Sequence, residues 1–129
     1  MATKAQMAKV ARWVRTYQRR LLLDSWTVDC DFAVEPHPDD HGDETTVATA
    51  GALDSYSRLV VTVYPTLWDH DEKEQEAAVA HEMAHAITAH TRELLLRRVA
   101  KKRVTDDEAM RANEKLTEHI ANVVLRAYR

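Results

Sequence analysis

The pentapeptide His81-Glu82-Met83-Ala84-His85 constrains this chain more than any other segment, because its chemistry requires a helix. Residues four apart on a helix lie one above the other on the same face. His81 and His85 would therefore direct two imidazole nitrogens at one point, at the roughly 2.0–2.1 Å that a Zn²⁺ ion requires. Glu82 lies about 100° around the helix, where its carboxylate could accept a proton from a water on the metal. The sequence therefore predicts a helix that carries a zinc site.

The segments around this pentapeptide predict an α+β fold in which a helix is followed by three strands and two further helices. Apolar residues recur at helical spacing near both ends of the chain, whereas alternating or β-branched segments lie between them. The predicted elements are a helix over 4–23, strands over 26–34, 45–53 and 58–64, the pentapeptide helix to about residue 102, and a last helix over 105–127. All 129 residues are expected to form one domain.

Short-range spacing also predicts where the helices begin and which residues are buried. A Ser, Thr, Asp or Asn before an apolar run, with Glu or Gln three residues later, is typical of a helix N-terminus. The predicted N-caps are Thr3 (with Gln6), Asp69 or Asp71, and Thr105 (with Glu108). The predicted buried stripe of the pentapeptide helix is Val79, Met83, Ala86 and Ile87. Cys30 lies in an alternating strand and is predicted to belong to the core.

Composition argues against several classes of partner. The net charge of −3 gives no general attraction to nucleic acid or anionic lipid, and the basic clusters over 4–20 and 97–103 lack interleaved aromatic residues. No segment approaches the roughly 20 apolar residues of a membrane span, and none has the apolar core of a secretion signal. Cys30 is the only cysteine, so no intrachain disulfide can form. We expect a cytoplasmic setting without nucleic-acid or membrane partners.

The predicted last helix offers a third metal ligand. A tetrahedral zinc site with two histidines needs one more protein ligand if the fourth position is left for water. Glu114 and Glu118 lie four residues apart and share a face, on which Thr117 and Ala121 are small enough to let the pentapeptide helix approach. One carboxylate would bind the metal while the other orients a ligating imidazole. We favour Glu114 as the ligand and Glu118 as the orienting group, with the reverse assignment as the alternative.

These two segments together resemble the gluzincin group of zinc metallopeptidases. The pentapeptide is followed by Asn113-Glu114-Lys-Leu-Thr117-Glu118. This second segment is similar to the Asn-Glu-x-x-Ser-Asp motif of the thermolysin type, with Thr in place of Ser and Glu in place of Asp. The element order and small size are also similar to minigluzincins and to small phage-type or prophage-type metallopeptidases.

The resemblance covers roughly residues 45–127 and implies a zincin-like fold. Such a fold would have an N-terminal helix, a small and mostly antiparallel three-stranded sheet, the helix with the pentapeptide, and a C-terminal helix with the third ligand. The strand around Val60–Tyr64 would then be the edge strand that pairs with an extended peptide or protein substrate.

The resulting hypothesis is zinc-dependent hydrolysis of peptide bonds. Zn²⁺ held by His81, His85 and Glu114 would activate a water, and Glu82 would act as the general base. A second donor often stabilises the oxyanion in such reactions. The candidate donors are His119, Tyr64, Arg126 and Tyr128. The first helix could either cover the cleft or pack behind the sheet.

Two functions from other classes remain open. A zinc-stabilised binding or regulatory protein would keep the metal without hydrolysis, and a metal-free interaction module would use the basic first helix to bind a partner. Other metal patterns fit less well. His90 lies five residues after His85, whereas the extended zinc motif with a glycine turn needs six, so we expect His90 at the surface or behind a ligand. The acidic loop over 36–44 is expected to be a solvated loop rather than a cation site.

Overall fold

The computed structural model of the chain describes residues 1–40, 45–53, 57–101 and 105–128, and for His90, Glu93, Leu94 and Arg97 it describes the backbone alone. The α-helices are α1 (Lys4–Arg20), α2 (Glu72–Ala100) and α3 (Asp106–Ala127). The strands are β1 (Thr27–Phe32), β2 (Ala48–Leu53) and β3 (Arg58–Val63), and a short 3-10 helix occupies Pro65–Asp69. The predicted α+β class and element order are confirmed. The predicted turn at Asp54-Ser55 lies outside the described residues.

The predicted N-caps are confirmed, with Asp71 rather than Asp69 at the start of α2. At Thr3, Asp71 and Thr105 the cap side chain accepts a hydrogen bond from the backbone N–H three residues on. In each case the Gln or Glu at that position accepts from the cap N–H in return, which satisfies two backbone donors at the helix N-terminus. Local sequence therefore predicts the start of α1 and α3 and narrows the start of α2 to two residues.

Helix α1 ends three residues earlier than the predicted boundary at residue 23. Leu22 has a left-handed backbone with φ of 57°. The N–H of Leu22 donates to the carbonyl of Arg19 at 3.0 Å, and the N–H of Leu23 donates to the carbonyl of Gln18 at 2.7 Å. This pair of bonds is a Schellman motif, which satisfies the last carbonyls of the helix. The left-handed residue of a Schellman motif is usually glycine, so the leucine at this position did not indicate the end of the helix.

The sheet is mixed, with strand order β1-β3-β2. Strand β1 runs parallel to β3, with Thr27 opposite Arg58, whereas β2 runs antiparallel to β3, with Ala48 opposite Val63. The prediction of a mostly antiparallel sheet is therefore wrong for one of these two pairs. Alternating hydrophobicity specifies which face of a strand is buried, but it does not specify the partner or its direction.

The position of β3 also corrects the expected substrate strand. Strand β3 lies in the centre and is hydrogen-bonded on both sides, so the segment around Val60–Tyr64 cannot be an edge strand. Leu59, Val61 and Val63 are buried on one of its faces, in the same core as α1 and α2. The edge strands of the described sheet are β1 and β2.

The helices pack around this core. Tyr17 is buried on α1, and its hydroxyl donates a hydrogen bond of 2.8 Å to Glu76 Oε1 on α2. Val79, Met83 and Ala86 on α2 are buried as predicted, but Ile87 is 41 % exposed. The next residue, Thr88, is buried in its place and contacts Thr117 of α3. Among the helices of the described residues, none has both the length and the apolar character that a membrane span requires.

Candidate metal centre

Helix α2 places the two histidines of the pentapeptide side by side. The ring centroids of His81 and His85 are 5.0 Å apart, with the ring planes at 81° to each other. Helix α3 approaches the same region because its facing side chains are small. Thr117 and Ala121 are buried there, and the Thr117 hydroxyl shares a hydrogen bond of 2.9 Å with the hydroxyl of Thr88 on α2. The close pairing of α2 and α3 therefore brings the late-helix carboxylates to the histidines.

Glu114 completes a three-residue cluster. Its Oε2 lies 3.2 Å from Nε2 of His81, and its Oε1 lies 3.4 Å from Nε2 of His85. One ligand atom from each of these three residues lies within 4.8 Å of the others. A tetrahedral Zn²⁺ with bonds of roughly 2.0–2.1 Å would separate its ligand atoms by about 3.3 Å. The cluster could therefore hold a metal ion.

Glu118 contacts the other nitrogen of His81. Its Oε2 lies 2.5 Å from Nδ1 of His81, on the side of the ring opposite to the nitrogen that faces Glu114. A carboxylate in this position accepts a hydrogen bond from Nδ1–H, which fixes the tautomer and leaves the Nε2 lone pair free for a metal. Glu114 thus belongs to the group that could hold a metal ion, and Glu118 contacts the opposite nitrogen of His81; the assignment of ligand and orienting group stays a prediction.

On its Nδ1 side, His85 lies against a hydroxyl, whereas His81 lies against a carboxylate. Thr117 Oγ1 donates to the carbonyl of Asn113 at 2.9 Å, so a lone pair remains for Nδ1 of His85, 3.5 Å away. Burial lowers the pKa of His85, Glu114 opposes this effect, and the positive charges of His81 and Arg92 add to the lowering. A lowered pKa keeps the ring neutral, which is the form that binds a metal.

Glu82 lies beside the cluster and is buried, with 8 % of its surface exposed. Its Oε2 is 3.8 Å from Nε2 of His85. Burial raises the pKa of Glu82 to about 8, and the nearby charges of Glu114 and Glu118 contribute further to the rise. The side chain is therefore held next to the three-residue cluster as a carboxyl group with an unusually high proton affinity.

A cavity of about 340 Å³ opens in front of these residues. One wall consists of α2 and α3 and carries the cluster and Glu82, and the other wall is the edge strand β2. The lining residues of β2 are Ala48, Thr49, Ala50 and Ala52. Helix α1 contributes no residue to the described lining, so it does not cover this cavity.

The candidate oxyanion donors lie elsewhere. Tyr64 packs edge-on against the ring of His37, and the ring of Tyr128 lies 4.4 Å from the guanidinium of Arg20. His119 and Arg126 are exposed on α3. None of these four candidates is among the described lining residues of the cavity.

Arg92 does line the cavity, and sequence reasoning missed it. It lies seven residues after His85 on α2, and seven residues are close to two helical turns, so both side chains project from nearly the same face. This spacing was the signal that could have identified it.

The acidic loop, His90 and Cys30 do not contribute described residues to the cluster or to the cavity lining. Both carboxylate oxygens of Asp40 accept from the backbone N–H of Thr46 at 3.0 Å, so this part of the acidic loop serves local structure. His41 and Asp43 of that loop lie outside the described residues, as does the side chain of His90. Cys30 is half-buried against the core, and burial, followed by the charges of Asp29 and Asp31, raises the pKa of its thiol.

The fold and the cluster together define an α+β protein with a His81–His85–Glu114 group that could bind a metal ion. Comparison of the chain with protein-family models, with curated proteins and with solved structures finds no match. The function must therefore be argued from the chemistry of the site.

Proposed function

We propose that this protein is a zinc-dependent peptidase in which His81, His85 and Glu114 hold the metal and Glu82 is the general base. The observation that carries the proposal is the placement of Glu82. A carboxylate that only balanced charge would lie among the ligands or in solvent, but this one is buried beside them and faces the same cavity. Metal-assisted hydrolysis of a peptide bond uses a general base in this position, next to the metal and not bound to it.

The donor set favours zinc over Mg²⁺ and Ca²⁺. Two neutral imidazoles and one carboxylate are typical of catalytic zinc sites, whereas Mg²⁺ and Ca²⁺ prefer oxygen ligands alone. When bound, Zn²⁺ supplies Lewis acidity toward a water and toward the substrate carbonyl. Glu118 and Thr117 support the site by holding the Nδ1 side of the two imidazoles.

Glu82 would move the proton. Its Oε2 faces the cavity side of His85 and can accept a proton from an attacking water, then donate it to the departing amine. Because the pKa of this carboxyl is raised to about 8, the group can both accept a proton from the water and donate it to the amine near neutral pH. In the field of a bound cation the pKa would fall toward neutrality, where a general base is most effective.

The edge strand β2 is suited to hold an extended peptide. The N–H of Tyr64 donates to the carbonyl of Val47 at 3.0 Å, so these two residues form a hydrogen-bonded pair in register with the β2–β3 ladder. Because bonded and non-bonded pairs alternate in an antiparallel ladder, the backbone groups of Ala48, Ala50 and Ala52 point to the open edge. An added peptide strand would pair with these groups along the cavity.

The proposal is tested with Glu82→Gln, which removes the base but keeps the size of the side chain. We expect the variant to retain zinc, measured by elemental analysis, and to lose cleavage of a fluorogenic peptide library that the wild-type protein cleaves. Cleavage by the variant at the wild-type rate would reject the role of Glu82. Zinc in the wild-type protein without cleavage of any peptide would favour a zinc-stabilised binding protein. A melting temperature unchanged by chelators, with no metal present, would favour a metal-free interaction module.

A further inference from the structure

The cavity has a second charged group beyond the metal cluster, and the proposed chemistry does not use it. Arg92 lines the cavity together with Thr88 and Ala89, which follow His85 along the same face of α2. From His85 to Arg92 the helix rises about 10 Å. Arg92 therefore marks the end of the cavity toward the C-terminus of α2, with the cluster at the other end.

Among the described residues, no acidic side chain pairs with Arg92. Its guanidinium forms no ion pair or hydrogen bond with any side chain that the structure describes. The other titratable side chains of the described lining are His81, Glu82, His85 and Glu114, all of which belong to the cluster and its base. The remaining residues of the described lining are uncharged, among them Met110 of α3 and Ala52 of β2. A permanently charged group with a planar array of donors is thus left facing the space where substrate would lie.

We propose that Arg92 binds a carboxylate of the substrate, so that the preferred substrates are peptides with an acidic side chain or a free C-terminus close to the scissile bond. This inference rests on the proposed peptidase function. A guanidinium binds a carboxylate through two parallel hydrogen bonds, and such charge-assisted pairs are stronger than neutral ones. Away from the proposed metal, Arg92 is the side chain of the described lining with a permanent positive charge, so it is the protein group there that favours a substrate carboxylate.

The length of the cavity limits where that carboxylate lies in the substrate. An extended peptide advances about 3.3 Å per residue, so the roughly 10 Å from His85 to Arg92 correspond to at most about three residues. Side chains on a helix tilt toward its N-terminus, which brings the guanidinium of Arg92 back toward the cluster and shortens this distance. The acidic group therefore lies within three residues of the scissile bond, on the side that faces the C-terminal end of α2.

The test measures peptide binding to the zinc-loaded Glu82→Gln protein, so it does not depend on turnover. One blocked peptide sequence carries Glu, Gln or Lys at each position in turn across the scissile region, and a parallel series compares a free C-terminus with an amide. By titration calorimetry we expect one acidic position, or the free C-terminus, to bind about ten- to a hundredfold tighter than its neutral counterpart. The first series identifies a side-chain carboxylate, and the second identifies a terminal one.

Substitutions in the same background assign the preference to Arg92. Arg92→Gln should abolish the preference, so that acidic and neutral peptides bind alike, and Arg92→Glu should transfer it to the Lys peptide. Arg98→Gln is the matched control, because Arg98 is exposed on the same helix and is absent from the described cavity lining. It should leave the preference intact.

Three results would overturn the inference: equal binding of acidic and neutral peptides, no binding of any peptide, or an acidic preference that survives in Arg92→Gln. The proposed peptidase function fails separately. If the acidic peptides bind through Arg92 but the wild-type protein cleaves none of them, the carboxylate site is supported and the peptidase function is rejected. If the wild-type protein cleaves neutral and acidic peptides equally, hydrolysis stands and the role of Arg92 is rejected.

Discussion

The two walls of the cavity differ in almost every chemical respect. The helical wall carries His81, Glu82, His85, Glu114 and Arg92, so all the titratable groups of the described lining come from α2 and α3. The strand wall consists of three alanines and Thr49 of β2 and presents backbone groups at an open sheet edge. We infer that the helices supply metal binding and proton transfer through side chains, whereas the strand supplies substrate alignment through its backbone.

Substitutions can separate the roles of the two walls. A substitution on the helical wall should change metal affinity, protonation or turnover, and a substitution on the strand wall should change substrate binding while zinc content stays constant. A strand variant that lost zinc, or a ligand variant that kept it, would remove the distinction between the walls.

The largest expected effect is on metal binding by the two carboxylates of α3. Loss of one of three ligands should weaken zinc binding by roughly a thousandfold, by comparison with zinc-finger peptides, whose four ligands together bind Zn²⁺ with on the order of 10–16 kcal/mol. Loss of an orienting group typically costs only 10–100-fold. We therefore expect Glu114→Ala to lower zinc affinity far more than Glu118→Gln does, as measured by competition with a chromogenic chelator.

The control for these variants is His119→Ala, since His119 is exposed on α3 and lies outside the described lining. It should bind zinc like the wild type. A larger loss for Glu118→Gln than for Glu114→Ala would mean that the two carboxylates have the reverse roles.

The next effect concerns the stability of the metal-free protein and comes from Glu82. Its pKa is raised from 4.5 to about 8 in the folded state, so between these values the folded protein binds more protons than the unfolded chain. The free energy of unfolding should therefore fall as pH rises from about 4.5 to about 8, by a few kcal/mol. Glu82→Gln, which cannot ionise, should lack this component and be the more stable protein at pH 8.

The measurement is urea unfolding of both proteins in the presence of a chelator across this pH range. Only the difference between them is diagnostic, because the lowered pKa of His85 makes an opposite contribution, in which stability rises with pH until the unfolded histidine has lost its proton. Parallel pH profiles for the two proteins would contradict the buried, proton-binding state of Glu82.

The smallest effect is expected on the strand wall. The N–H of Ala50 points to the open edge, so Ala50→Pro should remove a donor to the substrate without removing a bond of the β2–β3 ladder. One hydrogen bond contributes about 0.5–1.5 kcal/mol, so kcat/KM should fall by about tenfold at most, with zinc content unchanged.

Gly51→Ala is the matched control, because a Cβ at Gly51 meets no other atom within 4 Å and the edge-facing donors remain. It should leave kcat/KM unchanged. Gly51→Pro, by contrast, removes an N–H that faces β3 and should lower the melting temperature. If Ala50→Pro cleaves peptides as well as the wild type does, the substrate does not pair with this strand.

The helical wall could be predicted from the sequence because its determinants are local. The pentapeptide, the four-residue spacing of Glu114 and Glu118, and the capping box at Thr105 each specify geometry over one or two turns of helix. Arg92 lies only two turns beyond His85, but a lone arginine among several near the end of α2 carries no motif. Its position in the cavity depends on where α3 and β2 pack.

The strand wall could not be predicted, because it depends on contacts between distant segments. Ala48, Ala50 and Ala52 act through backbone atoms, which every residue has, so no residue type marks them. The predicted substrate strand, β3, is rich in β-branched residues because it is central and buried. Strand order and direction depend on contacts between distant segments, and the spacing within one strand does not contain them.

The most direct test of the central claim is a crystal structure of the protein with zinc, with anomalous diffraction data collected at the zinc absorption edge. We predict one anomalous peak between Nε2 of His81, Nε2 of His85 and a carboxylate oxygen of Glu114, with Glu118 on Nδ1 of His81. A peak bound by Glu118 in place of Glu114, or by residues outside this cluster, would contradict the proposed metal centre.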